Sequence, residues 1–237
     1  KRAMQETSAV VIVAAGASRR MGRDKLWIPL AGRITLARTI DAFEASTAID
    51  TIIIVASEER LQETHTLCQH ESWTKIQAIV PGGERRQDSV CRGLDALAQL
   101  QPACQWVMIH DGARPLISDT IIKLGLSSAI EHQASIAAMP VKDTIKLVRK
   151  DIIVDTPDRQ LLWAVQTPQV FSFPLIHSAH HSPEAQGDAT DDALLLERLG
   201  YQVAVFPGSY RNIKITTEED LLVAEAFIKA EQEEQQQ

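Results

Sequence analysis

The chain has 237 residues, of which 45% are apolar and 23% charged, and its formal net charge is −7. This composition is typical of a globular protein with one large domain, and the negative balance offers no overall attraction for nucleic acid or a membrane surface. The three cysteines are odd in number and form no C-x-x-C spacing, which argues against a disulfide framework or a zinc site. No apolar run is long enough to cross a bilayer, so we expect a cytoplasmic protein.

Apolar segments of strand length alternate with amphipathic segments of helical spacing over the first 140 residues. The predicted strands are 7–14, 51–56, 76–80, 106–109 and 135–139, and the predicted helices are 34–45, 58–70, 86–100 and 119–132. Such alternation predicts an α/β fold: a Rossmann-like, mostly parallel twisted sheet with helices on both faces. We expect one domain over residues 1–237.

The regular alternation stops near residue 142. Two β-rich segments, 144–148 and 152–156, flank a polar turn and predict a β-hairpin, inserted in the domain at about 142–163. A two-stranded hairpin alone is marginally stable in water, so we expect it to be a dimerisation arm that packs on a second copy of the chain. Beyond it, the pattern predicts helices at 173–181, at 190–199 with Thr190 as its cap, and at 218–230. Short strands are predicted at 203–206 and 212–215.

The loop after the first strand has small residues at 14–18 and four cations between positions 19 and 25. Small residues let backbone N–H groups approach a ligand, and oriented amides backed by Arg and Lys suit a polyphosphate. The loop is neither a Walker A motif nor a G-x-G-x-x-G fingerprint, which disfavours an NAD-type oxidoreductase. The alternative is an ordinary strand-to-helix turn with solvated charges.

Ligands of an open parallel sheet bind at the carboxyl ends of its strands, where three more loops carry polar residues. Asp111 ends an apolar strand, so it needs a cation: either Mg²⁺ shared with phosphates or an ion pair with Arg114. His110 beside it is more often structural than catalytic. At Gly82 and Gly83, the backbone can either approach a base or ribose closely or simply form a turn.

The residues in these loops favour chemistry at phosphorus. Ser89 could bind a nucleotide or simply cap a helix. There is no Gly-x-Ser-x-Gly elbow and no Cys–His pair at a motif spacing. What remains is cations, an acid and backbone donors, which suit a reaction where the protein mainly positions groups and neutralises charge.

Motifs along the whole chain resemble one family. AAGASRRM at 14–21 with Lys25 resembles the nucleotidyltransferase signature, and the narrower match comes from the segments that follow it. These are GG at 82–83, DSV at 88–90, HDGARP at 110–115, PVKDT at 140–144, DR at 158–159, LW at 162–163, QTPQ at 166–169, TDD at 190–192 and NIK at 212–214. In this order, over about 7–227, they resemble the 2-C-methyl-D-erythritol 4-phosphate cytidylyltransferase family.

The resemblance implies transfer of CMP from CTP to 2-C-methyl-D-erythritol 4-phosphate, with release of pyrophosphate, in non-mevalonate isoprenoid biosynthesis. It also implies Mg²⁺ at Asp111 and a homodimer whose arm carries Thr144 and Arg159 into the neighbouring site. The implied catalytic residues are Arg20, Lys25, Arg159 and Lys214. The implied nucleotide-binding residues are Ala14, Ala15, Gly16, Gly83, Ser89, Asp111 and Gly112. The implied substrate-binding residues are Asp111, Arg114, Thr144, Arg159, Thr167, Thr190 and Lys214.

Two other functions are compatible with the same motifs. A ribitol-5-phosphate cytidylyltransferase would differ in the alcohol it accepts, and the region of Thr167 and Thr190 is where substrate hydroxyls should be distinguished. A non-catalytic nucleotide-sensing domain of the same fold would bind CTP without releasing pyrophosphate. Retention of the cations and of Asp111 disfavours the sensing domain.

Overall fold

Eleven strands and seven α-helices make up the fold in a computed structural model, which describes residues 7–16, 24–101 and 103–235. The strands are β1 (Ser8–Ala14), β2 (Pro29–Leu30), β3 (Arg33–Ile34), β4 (Thr51–Ala56), β5 (Ile76–Pro81), β6 (Trp106–Asp111), β7 (Ala134–Pro140), β8 (Leu147–Arg149), β9 (Ile152–Asp155), β10 (Trp163–Ser172) and β11 (Ala204–Pro207). The helices are α1 (Thr35–Ala45), α2 (Leu61–His70), α3 (Arg86–Ala98), α4 (Asp119–His132), α5 (Phe173–His180), α6 (Ala193–Arg198) and α7 (Glu218–Gln235).

Seven of the strands form one sheet in the order β11-β7-β10-β6-β1-β4-β5. Neighbouring strands run parallel, except that β10 is antiparallel to both β6 and β7. The prediction of a mostly parallel sheet is therefore confirmed. Among the described residues, no helix is both long and apolar enough to span a membrane.

The core lies on both faces of the sheet because β1 is apolar on both sides. Val10 and Ile12 pack in one buried cluster with Phe43 of α1, while Val11 packs in the other with Leu94 of α3. All five side chains are fully buried, and each such burial stabilises the fold by about 1.5–3 kcal/mol. This two-sided burial explains the continuous apolar run that predicted the strand.

The strand β10 was not predicted from the sequence. It carries Gln166, Thr167 and Gln169 in the middle of its length, and these polar residues interrupt the apolar pattern expected of a buried strand. Its pairing with β7 shifts register between Val165 and Gln169. The strand nevertheless fills the gap between β6 and β7, and it brings its polar residues to the carboxyl end of β6.

Two further predictions were wrong in detail. Residues 212–215 form no strand; Ile215 N–H donates to the Ala113 carbonyl at 2.8 Å, which ties that segment to the loop after β6. The helix predicted at 190–199 begins at Ala193, with Asp192 as its N-cap residue in place of Thr190.

The predicted hairpin is confirmed as β8 and β9, which pair only with each other in a separate two-stranded sheet. Its apolar side chains are exposed, and so are one side chain between the hairpin and β10 and the side chain of the first residue of β10. They are Leu147, Val148, Ile152, Ile153, Val154, Leu161 and Trp163.

Candidate active site

Two adjoining clefts open at the carboxyl edge of the sheet. The first has a volume of about 380 Å³ and is lined by Val13, Ala15, Gly16, Lys25, Leu26, Gly83, Glu84, Arg85, Arg86, Ser89, Asp111, Ala113 and Lys214. The second has a volume of about 280 Å³ and is lined by Arg86, Asp111, Arg114, Val165, Gln166, Thr167, Gln169, Thr190, Asp191 and Lys214. Arg86, Asp111 and Lys214 line both clefts, so a ligand in either one meets the same charged group.

The wall of the first cleft is built from small residues and backbone. A Cβ atom on Gly82 would clash with the Ala15 side chain and lie 2.8 Å from Ser89 Oγ, so these segments pack closely only because residue 82 is glycine. The Gly83 N–H donates to Ser89 Oγ at 3.0 Å. Ser89 lies inside α3 and holds this loop, so it is not the cap of the helix.

Asp111 is surrounded by three cations. Its carboxylate lies 2.9 Å from Lys214 Nζ, 3.2 Å from Arg86 Nε and 3.6 Å from Arg114 Nε. Burial alone would raise the pKa of Asp111, but Arg86, Lys214 and Arg114 outweigh it and hold the pKa well below its usual range. The ion pair with Arg114 considered from the sequence exists, and it is the longest of the three.

Asp192 lies behind this cluster and holds Arg86 in place. Arg86 Nη1 donates to Asp192 Oδ2 at 2.7 Å, and His180 Nε2 lies 3.2 Å from the other Asp192 oxygen. Burial would lower the pKa of Arg86, but Asp192 and Asp111 outweigh it and raise the pKa above its usual value. Arg86 was not among the predicted site residues. Its position in the first turn of α3, directly after the carboxyl end of β5, is the signal that could have identified it.

His110 is a buried neutral imidazole that links the strand ends. Its Nε2 lies 3.1 Å from the Arg114 carbonyl, which can only accept a hydrogen bond, so Nε2 donates. Its Nδ1 then accepts from Thr167 Oγ1 at 3.1 Å, and the Asp111 N–H donates to the same hydroxyl oxygen at 3.0 Å. Burial lowers the pKa of His110 to about 4. A ring with both nitrogens engaged positions Asp111 and Thr167, as the structural interpretation of His110 expected.

Beyond the shared charged group, the second cleft combines Arg114 with hydroxyl and amide groups. Arg114 Nη1 donates to the Asn212 carbonyl at 2.8 Å, and Asn212 Nδ2 donates to the Thr167 carbonyl at 2.8 Å. Gln169 Oε1 accepts from the Asp192 N–H at 3.1 Å, which attaches the start of α6 to β10. Arg114, Thr167 and Thr190 therefore line one surface, although they come from three distant segments.

The other predicted site residues lie elsewhere. Ala14 and Gly112 sit behind the lining residues, where Gly112 N–H donates to the Val13 carbonyl at 2.9 Å. Thr144 and Arg159 belong to the exposed arm and line neither cleft; Arg159 Nη1 donates to the Lys142 carbonyl at 2.8 Å. Arg20 lies outside the described residues.

The donor set at Asp111 fits a magnesium ion that is held mostly by phosphates. Mg²⁺ in proteins typically takes one or two carboxylates and completes its shell with phosphate oxygens and water. Asp111 and Glu84 are the carboxylates among the described residues that line the first cleft, and the three cations keep Asp111 ionised.

The sequence matches a known family over most of its length. A family model described as "IspD: 2-C-methyl-D-erythritol 4-phosphate cytidylyltransferase" matches residues 8–230. The chain belongs to this family.

Proteins similar to this chain include two relatives whose names match the description of the family and one solved structure. A 2-C-methyl-D-erythritol 4-phosphate cytidylyltransferase of Alkaliphilus oremlandii is 46% identical over 231 residues, covering 95% of this chain and 97% of that protein. One of Dehalococcoides mccartyi is also 46% identical, covering 95% and 98%. The crystal structure of 4-diphosphocytidyl-2C-methyl-D-erythritol synthase from Anaerococcus prevotii superposes with a TM-score of 0.83 at 31% identity, covering 94% of this chain and 99% of that one.

Proposed function

We propose that this chain transfers CMP from CTP to 2-C-methyl-D-erythritol 4-phosphate, giving 4-diphosphocytidyl-2-C-methyl-D-erythritol and pyrophosphate. The observation that carries the proposal is the pair of clefts that share Arg86, Asp111 and Lys214. The first cleft, with its small residues and backbone donors, takes the nucleotide. The second, with Arg114 and the two threonines, takes the alcohol phosphate. The two reactants then meet at the shared cations.

The reaction needs little proton chemistry from the protein. A phosphate oxygen of the methylerythritol phosphate attacks the α-phosphorus of CTP, and the bond to the bridging oxygen breaks, so pyrophosphate leaves with the electron pair. The attacking oxygen is already an anion, and the neutral His110 is not required as a base. The protein gathers two polyanions and stabilises charge that builds up at the α-phosphate. Lys25 and Lys214 are suited to this because both line the nucleotide cleft, and Arg20 is assigned the same role from the family signature.

Asp111 is the residue that would hold Mg²⁺, and the ion would neutralise part of the negative charge of the phosphates. Asp111 is kept ionised by Arg86, Lys214 and Arg114. When the phosphates bind, these cations can form ion pairs with the phosphate oxygens as well. Asp111 is then no longer the main anion that they contact. The same carboxylate therefore holds the cations in place before the nucleotide binds.

The proposal includes a homodimer formed through the arm, here defined as residues 142–163. The hairpin has no partner strand among the described residues beyond its own two strands, and exposed patches of this kind mark interaction surfaces. A second copy that covers the patch would bring Thr144 and Arg159 to the neighbouring clefts. An Ile152→Asp, Ile153→Asp double variant should sediment as a monomer, whereas the same change at exposed Leu222 and Val223 of α7 should leave the dimer intact. A wild-type monomer would refute this part.

A cytoplasmic location belongs to the same proposal, since three free thiols suit a reducing compartment.

The test is a pyrophosphate-release assay with CTP and Mg²⁺. Release with methylerythritol phosphate, and much slower release with ribitol 5-phosphate, supports the proposal; the reverse preference identifies the ribitol enzyme. CTP binding without pyrophosphate release identifies a nucleotide sensor. Chelation of divalent cations should abolish turnover, and turnover that persists would remove Mg²⁺ from the role given to Asp111.

A further inference from the structure

A cluster of metal-ligating side chains lies outside both clefts, between α3 and α5. Cys91 and Asp95 are one helical turn apart in α3, and His177 and His181 are one turn apart at the end of α5. Cys91 Sγ lies 3.8 Å from His181 Nε2 and 3.9 Å from Asp95 Oδ2. His181 Nε2 lies 3.1 Å from Asp95 Oδ1, so a thiol, an imidazole and a carboxylate converge on one point.

The hydrogen bonds of His181 leave a lone pair directed at this point. His181 Nδ1 lies 2.8 Å from the His177 carbonyl, which can only accept, so Nδ1 carries a proton. In the neutral ring, Nε2 is then an acceptor that faces a carboxylate oxygen. Two acceptors at 3.1 Å repel each other unless a proton or a metal ion lies between them. The alternatives are thus an imidazolium paired with Asp95, or a metal ion.

We propose that Cys91, Asp95 and His181 bind one Zn²⁺ ion, with water in the fourth position. Zn²⁺ binds sulfur, nitrogen and oxygen at about 2.0–2.3 Å in tetrahedral geometry, which places ligand atoms about 3.5 Å apart. Here His181 Nε2 lies 3.8 Å from Cys91 Sγ and 3.1 Å from Asp95 Oδ1, and Cys91 Sγ lies 3.9 Å from the other carboxylate oxygen, Asp95 Oδ2. One ligand atom from each residue can be chosen so that all three lie within 4.8 Å of one another, so small shifts suffice. A thiolate and an imidazole favour zinc over magnesium, and the Cys91 proton passes to solvent on binding.

His177 acts as a positioning residue at this site. Its Nε2 lies 3.0 Å from Asp95 Oδ1, so an Nε2–H there donates to the carboxylate and fixes its orientation towards Cys91 and His181. Hydrogen bonds of this kind orient a ligand and raise its affinity for the ion. The ligands are accessible, since the side chains of Asp95 and His181 are 49% and 47% exposed.

The sequence argued against a zinc site because the three cysteines are odd in number and form no C-x-x-C spacing. Two of the proposed ligands, Cys91 and Asp95, come from α3, and the third, His181, comes from the end of α5. These helices are far apart in the chain and meet only in the fold. A bound ion would tie α3 to α5. The inference is independent of the proposed reaction, because none of these residues lines either cleft.

The test is a Co²⁺ titration of the full chain after treatment with a chelator and a reductant. We expect one equivalent to bind, with a thiolate-to-cobalt charge-transfer band and tetrahedral visible absorption, and Zn²⁺ to displace it. Cys91→Ser should remove the band, and both Cys91→Ser and His181→Ala should lower Zn²⁺ affinity by more than about 100-fold. His177→Ala should lower it by about 10–100-fold. Cys68→Ser and His132→Ala are matched controls that should leave the band and affinity unchanged.

The wild-type spectrum alone can overturn the proposal. Absence of the charge-transfer band, or its persistence in Cys91→Ser, means that the cluster holds histidine–carboxylate ion pairs and no metal through Cys91. Circular dichroism of each variant shows whether it is folded. An unfolded variant leaves the wild-type result to decide. Either result leaves the pyrophosphate-release assay unaffected.

Discussion

Acidification to pH 4.5 should destabilise the protein through His110. The ring is fully buried, and burial lowers its pKa from 6.5 to about 4. Between these values the unfolded chain binds a proton that the folded chain does not, so the free energy of unfolding falls as the pH falls. The stabilisation is fully present above pH 6.5 and is lost as the pH drops towards 4. Each pH unit between 6.5 and 4.5 costs up to about 1.4 kcal/mol, so the loss attributable to His110 is about 2.5 kcal/mol at pH 4.5.

Urea denaturation at a series of pH values between 7 and 4.5 measures this loss. The range ends at 4.5 because Asp111 and Asp192, whose pKa values are lowered, lose their contributions at lower pH. The side chain at position 110 of the His110→Gln variant cannot titrate, so the variant's free energy of unfolding should fall by about 2.5 kcal/mol less than that of the wild type over the range. At pH 7 the variant should already be less stable than the wild type by about 1–3 kcal/mol, because the hydrogen bond between the side chains of residue 110 and Thr167 is disturbed. His132→Gln, at an exposed site, should keep the wild-type pH dependence.

Equal pH dependence in the wild type and His110→Gln would refute the reasoning. If His110→Gln does not fold, the ring can be observed directly by NMR in the wild-type protein. A histidine that stays neutral to about pH 4 agrees with the buried hydrogen-bonded ring. If instead the His110 ring titrates near 6.5, the argument fails.

Three predictions concern the clefts. Lys25→Met should lower kcat/KM for pyrophosphate release by roughly 10²–10³-fold, whereas Lys229→Met, at an exposed position of α7, should not. Equal values of kcat/KM for Lys25→Met and the wild type would remove Lys25 from the mechanism. A mixture of Lys25→Ala and Arg159→Ala chains should regain activity after subunit exchange, and no recovery would count against a shared site. Gly82→Ala should raise the KM for CTP because its methyl group would clash with the wall of the first cleft. Gly187→Ala, whose Cβ would have its nearest neighbour at 3.5 Å, should leave that KM unchanged.

The sheet was predictable where burial alone decides the residue type. The strands β1 and β4 are buried by helices on both faces, so they consist of nearly continuous Val, Ile and Ala. The strand β10 is equally central, but it presents Gln166 and Thr167 to the second cleft. Polar residues needed at a site interrupt the pattern by which a strand is recognised, so the sequence was least informative where the fold meets the function.

The site was predictable one loop at a time and not as a set of contacts. That Asp111 needs a cation follows from its place at the end of an apolar strand. The cations that it contacts, Lys214 and Arg86, could not be named from the sequence. Arg86 precedes Asp111 in the chain and Lys214 follows it, and only the fold brings them together. The support of Arg86 by Asp192 and His180 depends likewise on how α5 and α6 pack against α3. No local spacing encodes these contacts.

The charge of the clefts explains how an acidic chain can gather two polyanions. Among the residues that the structure describes, five cations and three carboxylates line the clefts, a local balance of +2 in a chain of net charge −7. The cations are already held: Arg86 between Asp111 and Asp192, and Lys214 on Asp111. Because the cations are positioned before the ligand arrives, little of the binding energy has to be spent on ordering them. The carboxylates thus hold the cations in the positions from which they attract phosphate. The remaining acidic residues of the surface do not repel the ligands from the clefts, because salt screens their charge beyond about 8–10 Å.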